Sequence, residues 1–534
     1  MSKISLLVSL ILILGYPILD ARPQEVRGVW ITNVDSDMLF SHARLVEGID
    51  RLARTGFNVV YPVVWNKGMT LYPSRIMDSL FNLPQDTLLA RQKRDPLAEL
   101  IVEAHRRGME VIPWFEFGFA ASYQQNGGHI LARKPEWAAI DSHGRLLTKN
   151  GFEWMDALNP EVQAFMLALV MEVVYRYDID GIQGDDRLPA MPVEGGYSPS
   201  NRELYRREHT GQNPPADPRD YRFMRWKASH LNKFARRMYH SVKAADNHLV
   251  VSLAPNIYSW GYLEYLQDSK TWLDSLYCDQ YIPQTYRWNI RDYKELALNI
   301  YGESESDGSG FLNAYWKNRS VPGIILKSGD RYNRQDYVLE AVRFNRLLGI
   351  QGEIFFFYEG LGDRNNHLAD TLYHYVYHEP ARLPYRHDHR WRPPALMVQV
   401  EDPGTEKQGE WSIQPGLIGF DASTVLVCQN GPARLSLPLS IPDSGLYDVF
   451  FHIAAGSPPA SYPSLSSIRI DSLPAGLVCS DSTWGWIPIG SRSFDEGPHH
   501  LSITIPDSIQ APALVDALML MVNRRHSRQP AIRP

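Results

Sequence analysis

Short apolar runs alternate with amphipathic segments from Glu25 to about Tyr358. The amphipathic segments repeat their apolar residues at the spacing of a helix, and the runs have the length of buried strands. Strands that alternate with helices imply parallel βαβ units, and eight such strands favour closure into a (β/α)8 TIM barrel of the α/β class. The eight runs are residues 26–32, 57–65, 110–117, 179–183, 248–253, 275–283, 321–326 and 352–358.

Five of the amphipathic segments are predicted as helices, several of them with clear end signals. Glycine follows three of them, as expected of a left-handed C-cap, and Asn159 with Pro160 has the pattern of an N-cap and first helical residue. An open doubly wound sheet is the alternative fold, but no glycine-rich phosphate loop follows the first strand. The predicted helices are residues 45–55, 96–107, 160–177, 221–245 and 335–348.

Helical periodicity stops after about Pro380. Residues 380–394 are rich in Arg, His and Pro, which is typical of a linker, and short alternating runs separated by Pro, Ser and Gly follow. This pattern predicts a barrel domain over residues 22–392, a small β-sandwich over residues 393–525 and a disordered tail over residues 526–534.

Near the N-terminus, Lys3 precedes an apolar run from Ile4 to Leu14. A short basic start and a run of this length predict a signal peptide over residues 1–21, with an uncleaved anchor as the alternative. The protein is therefore expected to be secreted or periplasmic, in the cell envelope, without stable membrane insertion after cleavage.

Composition narrows the class of partner. A net charge of −6 over 534 residues gives no basic footprint for nucleic acid. The 14 Trp and 28 Tyr residues suit either sugar stacking or core packing. The three cysteines lack metal-ligand spacing, so neither a metal nor an organic cofactor is expected, and free thiols are favoured over a Cys428–Cys479 disulfide. Nothing in the sequence indicates the oligomeric state.

Polar and aromatic residues follow the predicted strands at the edge where a barrel carries its active site. Amides and acids bind sugar hydroxyls, aromatic rings stack on pyranose faces, and two carboxyl groups break the glycosidic bond. The candidate substrate-binding residues are Trp30, Asn33, Trp65, Trp114, Gln183, Asn256, Trp260, Gln284, Tyr286 and Trp288.

The fourth strand gives the sharpest signal. Alternate residues of a strand share a face, so Gln183 and Asp185 are expected to point to the barrel axis. Asp186 is expected to point sideways and to pair with Arg187 or Arg27, although a bulge would exchange the two aspartates. The alternative is that both aspartates only cap the next element or form ion pairs.

Asp185 is predicted as nucleophile or base, and Glu116 or Glu359 as the acid. Glu116 lies between aromatic neighbours that would raise its pKa, while pairing with Lys67 or Arg187 is its structural alternative. Glu359 ends the eighth strand, where it could equally cap the next helix. The competing class is a non-catalytic glycan-binding barrel, and a third is a purely structural scaffold.

Several of these blocks resemble the glycosyl-hydrolase-like ten family of bacterial barrels, formerly a domain of unknown function. The resemblance implies an exported glycoside hydrolase, with peptidoglycan glycan strands stripped of their peptides as one implied substrate. The fourth-strand block also resembles α-amylase-type barrels, which implies a nucleophile at Asp185, but their acid position after strand five holds Asn256 here. The resembling blocks are residues 25–32, 58–65, 135–137, 158–160, 177–186 and 279–286.

The C-terminal region resembles the domain found in golvesins and some polysaccharide lyases. The blocks that carry this resemblance are residues 445–449, 484–486 and 515–517. It implies carbohydrate binding or attachment, and a packing module that protects the barrel is the alternative.

Overall fold

The structure is a computed structural model of the chain. It describes most of the first 400 residues and the strands of the C-terminal region. The described residues are 22–302, 311–362, 368–386, 391–399, 404–415, 424–428, 432–452, 469–470, 473–474, 486–505, 513–515 and 517–525. The predicted signal peptide (residues 1–21) and the predicted tail (526–534) lie outside them, as does Cys479. Cys278 is a buried free thiol, as the sequence suggested.

Eight parallel strands are found among the described residues, one in each predicted run. Each is shorter than predicted because the apolar run continues into the turns at its ends. They are β1 (Val26–Ile31), β2 (Val59–Pro62), β3 (Glu110–Val111 and Trp114–Phe115), β4 (Gly181–Gly184), β5 (Val250–Leu253), β6 (Gln280–Tyr281), β7 (Gly323–Ile325) and β8 (Gly352–Phe356).

The pairing of these strands gives two parallel sheets in the described chain. One has the order β7-β8-β1-β2 with the first half of β3, and the other has the order β6-β5-β4 with the second half of β3. Pro113 lies at the break within β3, because proline has no N–H for the ladder. Isolated parallel bridges join Val63 to Trp114 and Gln284 to Gly323, so each sheet meets the other at both edges.

Side chains from the two sheets contact one another in the buried interior. Trp30 on β1 is fully buried and donates its indole N–H to Oε1 of Gln183 on β4, at 2.6 Å. Tyr61 on β2 donates its hydroxyl to Oε1 of Gln280 on β6, at 3.0 Å. These bonds satisfy polar groups that would otherwise cost free energy in the interior.

Helices follow the strands, so the α/β class is confirmed. Gly56 takes the left-handed conformation after α1, and Asn159 accepts a bond from the Glu161 N–H at the start of α3, both as predicted. The helices after the strands include α1 (His42–Thr55), α2 (Pro96–Arg106), α3 (Pro160–Arg176), α4 (Tyr221–Ala245), α5 (Ile290–Tyr301), α6 (Gln335–Leu347) and α7 (Leu368–Leu372).

The loops at the C-terminal ends of the strands carry further short elements that the periodicity does not reveal. A three-stranded antiparallel sheet lies in the loop after β3, formed by Ala120–Tyr123, Thr148–Lys149 and Phe152–Trp154. Short helices in these loops are Arg75–Phe81, Thr87–Gln92, Gly128–Arg133, Pro199–Glu208, Trp260–Tyr265 and Ser269–Asp274, whereas Ala314–Lys317 lies between α5 and β7. No helix in the described part of the chain is long and apolar enough to cross a membrane.

The C-terminal region consists of antiparallel strands where the structure describes it. Residues of Ala433–Ile441 largely alternate between buried and exposed positions, which confirms the period-two pattern. Leu435, Leu437 and Leu501 are fully buried in a core separate from that of the α/β part. The longer strands are Leu396–Gln399, Trp411–Pro415, Thr424–Cys428, Ala433–Ile441, Gly445–His452, Trp486–Phe494, Gly497–Ile505 and Ala517–Val522.

A buried ionic cluster joins the linker to the start of β4. The Arg392 guanidinium contacts Asp178 at 2.7 Å and Asp180 at 2.6 Å, and Trp391 donates its indole N–H to Asp180 at 2.9 Å. His105 on α2 contacts the same Asp180 carboxylate at 2.9 Å. We call Asp178, Asp180, Trp391 and Arg392 the linker clamp, because it fixes the segment leading to the C-terminal region against the strand that precedes Asp185.

Candidate active site

Asp185 lies directly after β4, at the C-terminal ends of the parallel strands. Its side chain is almost fully buried, with 3% of the residue exposed. Oδ1 accepts a hydrogen bond from Nε2 of Gln284, which follows β6, at 2.7 Å, and Oδ2 lies 3.4 Å from the Arg187 guanidinium. The Asp185 carboxyl group therefore contacts a residue that follows β6, two strands away in the sheet.

Arg187 connects three carboxyl groups. Its Nη1 lies 2.9 Å from Asp186, and its Nη2 lies 3.4 Å from Asp185 and 3.6 Å from Oε1 of Glu116. The Arg187 N–H at Nε also donates to the Glu116 carbonyl at 3.1 Å. We call Asp185, Asp186, Glu116 and Arg187 the carboxyl cluster. Of the two partners expected for Asp186, Arg187 is found, whereas Arg27 bonds Glu25 near the start of β1.

Glu116 follows β3 and is held by an amide on β2's side of the site. Asn66 donates from Nδ2 to Oε2 of Glu116 at 2.7 Å and to Oδ1 of Asn33 at 2.8 Å. Both N–H bonds of the amide are therefore used, and Oε2 is fixed as an acceptor. A proton carried by Glu116 is consequently expected on Oε1, the oxygen that faces Arg187.

Burial controls the protonation of the two carboxyl groups. It raises the pKa of Glu116 to about 7, although the Arg187 guanidinium opposes the shift. Burial also raises the pKa of Asp185 well above its usual range, and the adjacent Asp186 carboxylate raises it further, against Arg187. Three carboxylates around one guanidinium would repel one another, which disfavours ionisation of all three. The cluster is therefore expected to hold a proton near neutral pH.

The separation of Asp185 and Glu116 is bounded by their common partner. One oxygen of each lies 3.4 Å and 3.6 Å from the same nitrogen, so these two oxygens are at most about 7 Å apart. Carboxyl pairs of retaining glycosidases lie about 5–5.5 Å apart and those of inverting enzymes about 6.5–9.5 Å apart. The carboxyl carbons can lie farther apart than these two oxygens, so the bound is compatible with both ranges.

Three further predicted residues lie beside this cluster or beneath it. Gln284 contacts Asp185 directly, as described above. Gln183 is fully buried below the cluster, with its Nε2 donating to Ser252 at 2.9 Å. The Tyr286 ring stacks on Phe356 at 5.1 Å, and burial together with the Asp185 carboxyl raises the pKa of its phenol. Gln183 therefore supports the site from inside, whereas Gln284 lines it.

Three predicted sugar platforms lie in the core instead. Trp30, Trp65 and Trp114 are each at most 1% exposed. The Trp65 indole N–H donates to the Gly118 carbonyl at 2.9 Å and its ring packs on Phe165. Rings enclosed in this way have no face open to a sugar, so the prediction of stacking roles for these three tryptophans is wrong, and core packing is the reason.

Further predicted residues contact partners other than the carboxyl cluster. Asn256 donates to Gln267 at 3.0 Å, and the Arg331 guanidinium lies 4.2 Å above the ring of Trp288. Glu359 accepts a hydrogen bond from the Ser36 hydroxyl at 2.7 Å. Trp260 is 52% exposed. The structure brings Asp185, Glu116 and Gln284 together and leaves Glu359 outside their network.

Residues that the sequence did not single out complete the site. Asn66 orients Glu116, and its place directly after the second predicted strand was the one available signal. Phe152 lies under the Arg187 guanidinium at 4.6 Å and comes from the antiparallel loop sheet, for which the sequence gives no signal. Among the described residues, no three His, Cys, Asp or Glu side chains are grouped so that they could hold a metal ion.

The sequence of the α/β part matches a known protein-family model. The model described as "Glycosyl hydrolase-like 10" matches residues 25–301, which is more than half of the chain and includes Glu116, Asp185 and Gln284. The chain belongs to the glycosyl hydrolase-like 10 family. This confirms the resemblance inferred from the strand blocks of the α/β part.

Curated proteins similar to this member of the glycosyl hydrolase-like 10 family carry glycosyl hydrolase names. Glycosyl hydrolase DigH of Escherichia coli K12 is 24% identical over 301 residues, which cover 49% of this chain and 66% of that protein. The match thus spans slightly less than two thirds of DigH. Glycosyl hydrolase YngK of Bacillus subtilis 168 is 21% identical over 405 residues, which cover 68% of this chain and 73% of YngK.

Among solved structures, one match to this glycosyl hydrolase-like 10 chain is a glycoside hydrolase domain. The PgaB (BpsB) glycoside hydrolase domain from Bordetella bronchiseptica matches with a TM-score of 0.47 and 15% identity, over 66% of this chain and 99% of that domain.

Proposed function

We propose that this protein is a glycoside hydrolase that cleaves O-glycosidic bonds of a polysaccharide at the carboxyl cluster. The observation that carries the proposal is the pair of buried carboxyl groups, Asp185 and Glu116, held by one guanidinium at the C-terminal ends of parallel strands. Glycoside hydrolysis needs one carboxylate and one carboxylic acid on either side of the scissile bond. Membership of a glycosyl hydrolase-like family supports the same reaction class.

Glu116 is assigned as the general acid and Asp185 as the nucleophile. A pKa of about 7 leaves Glu116 about half protonated at neutral pH, which suits proton donation to a leaving group. Asp185 has a donor facing each oxygen, Gln284 at 2.7 Å and Arg187 at 3.4 Å, and these contacts favour its ionised form. Burial and Asp186 oppose ionisation, so a proton shared within the cluster must settle on Glu116 before attack.

Retention of anomeric configuration is the outcome proposed for these two carboxyl groups, which contact one guanidinium nitrogen. In a retaining reaction Asp185 attacks the anomeric carbon, the C–O bond breaks, and Glu116 protonates the departing oxygen. Glu116, now a carboxylate, then takes a proton from water that hydrolyses the glycosyl–Asp185 ester. The anomer released first, observed by proton NMR before mutarotation, tests this assignment.

The wider setting of the site is also proposed. The edge bridges and the Trp30–Gln183 and Tyr61–Gln280 bonds support a closed (β/α)8 barrel over residues 22–392, and the antiparallel strands support a β-sandwich over residues 393–525. The apolar run at the N-terminus supports export to the periplasm or beyond. Denuded peptidoglycan glycan strands are the proposed substrate, on the strength of the family resemblance.

Hydrolysis is tested with the full chain and a panel of glycans that includes denuded peptidoglycan, with products read by mass spectrometry. Asp185→Asn should lower turnover about 10³-fold or more with the circular dichroism spectrum unchanged. Glu116→Gln should lose activity on the natural linkage but keep it on an aryl glycoside whose leaving group needs no proton. The same pattern in Glu359→Gln, with Glu116→Gln fully active, would move the acid role to Glu359.

Binding without turnover is the second candidate function. The observation in its favour is that Asp185, Asp186 and Glu116 all contact one cation, an arrangement that also serves as a static ion network. Tight binding of a glycan by the wild-type chain, with no product over the whole panel, would establish this function in place of hydrolysis.

A further inference from the structure

Two aromatic rings are exposed on the loops that follow β3 and β5. Trp260 is 52% exposed and Tyr123 is 45% exposed, whereas Tyr265, the ring neighbour of Trp260, is buried. An exposed indole or phenol ring presents apolar surface that gains free energy when a ligand covers it. We call Tyr123 and Trp260 the rim rings.

Tyr123 lies one ring away from the carboxyl cluster. Its ring centroid is 5.0 Å from that of Phe152, and the Arg187 guanidinium lies 4.6 Å from the centroid of Phe152. The next residue back, Gly151, has a φ of +83°, and a Cβ there would come within 2.7 Å of the Tyr123 ring. Only glycine therefore lets the tip of this hairpin lie against Tyr123.

Trp260 is connected to the same hairpin from the other side. Its ring centroid is 5.7 Å from that of Tyr265. Asn150, which precedes Gly151, donates from Nδ2 to the Tyr265 hydroxyl at 2.7 Å. Lys149 is ion-paired with Glu264 at 2.7 Å, beside Tyr265 in the chain. One turn, residues 149–152, thus contacts Arg187, supports Tyr123 and fixes the helix that carries Trp260.

We propose that the rim rings are outer stacking sites for pyranose rings of a glycan chain whose cleaved bond lies at the carboxyl cluster. The inference rests on the proposed function and adds outer binding sites to it, which would hold a chain that reaches past the two sugars joined by the cleaved bond. Pyranose rings have an apolar C–H face that matches an exposed aromatic ring, and the shared hairpin makes the rim continuous with the cluster.

The test measures glycan binding in full-length Asp185→Asn protein, so that no probe is consumed. The probes are β-1,4-linked N-acetylglucosamine oligomers of about two to six sugars, titrated by calorimetry. Trp260→Ala and Tyr123→Ala are each expected to weaken binding of the hexamer about tenfold, equivalent to about 1.4 kcal/mol, and to leave binding of the dimer unchanged. Tyr375→Ala, which removes a ring 63% exposed elsewhere, should change neither.

The outcomes separate the rim rings from the reaction. Equal losses for hexamer and dimer, or no loss for either, would overturn the outer sites while leaving hydrolysis standing. Rim-dependent hexamer binding by a wild-type chain that cleaves nothing would support the outer sites and refute hydrolysis. Failure of every oligomer to bind the wild-type chain would overturn both.

Discussion

Replacing Glu116 by glutamine is expected to stabilise the protein, and to do so more at higher pH. Burial raises the pKa of Glu116 from 4.5 to about 7, and its side chain is only 15% exposed. A carboxyl group whose pKa is raised by folding favours the folded state fully below the unfolded pKa, and this advantage is lost as pH rises through the folded pKa. Glutamine keeps the shape and the acceptor for Asn66 without the charge.

The size of the effect follows from the two pKa values. From pH 5 to pH 8 the unfolded carboxyl group is mostly ionised, whereas the folded one loses its proton only around pH 7. The cost to stability therefore grows from about 0.8 kcal/mol at pH 5 to about 3.3 kcal/mol at pH 8. The advantage of Glu116→Gln over wild type should grow by about 2.5 kcal/mol across this interval.

Denaturant unfolding followed by tryptophan fluorescence at pH 5, 6, 7 and 8 measures this difference. Glu203→Gln, at a glutamate whose side chain is 61% exposed, is the matched control and should give a nearly flat difference. If the stability difference between Glu116→Gln and wild type stays constant within about 0.5 kcal/mol from pH 5 to pH 8, Glu116 is ionised throughout and the acid assignment fails.

Two other changes probe the support of the site. A Cβ at Gly118 (φ +49°) would lie 2.1 Å from the Arg187 carbonyl, whereas one at Gly144 (φ +78°) meets nothing within 4 Å. Gly118→Ala should therefore cost clearly more than the roughly 1–2 kcal/mol of backbone strain expected for Gly144→Ala, and it alone should abolish turnover, as thermal unfolding and a glycan assay would show. Equal melting temperatures would contradict the clash. Arg392→Ala removes the guanidinium from the buried Asp180 carboxylate and should lower the free energy of unfolding by about 3–5 kcal/mol, measured with denaturant. A loss below about 1 kcal/mol would contradict the burial of that ion pair.

The strand order and most helix ends could be predicted because their causes are local. Apolar period, Gly56 after α1 and Asn159 before α3 act within a few residues of themselves, and the structure has each of them in place. The position of Asp185 at the C-terminal end of β4 was predictable for a similar reason, since it follows from the strand pattern.

The details of the site could not be predicted because they depend on residues far apart in the chain. Asn66 and Glu116 are 50 residues apart, and Gln284 and Asp185 are 99 apart, so no local pattern connects them. The stacking roles predicted for Trp30, Trp65 and Trp114 failed because an indole near the end of a strand is equally suited to contact a sugar or to pack in a core. Trp65 packs on Phe165 because α3 returns over it, which only the fold determines.

The linker clamp connects the segment that leads to the C-terminal strands with the segment that leads into β4. Asp178 and Asp180 begin the segment that ends in Asp185, and their countercharge, Arg392, comes from the linker that leads to the C-terminal strands. A chain cut just before Trp391 would keep every residue of the carboxyl cluster yet leave two carboxylates in the interior without that guanidinium. Thermal unfolding of the whole protein is accordingly expected to show one transition. The α/β part produced without the linker and the C-terminal strands is expected to be less stable.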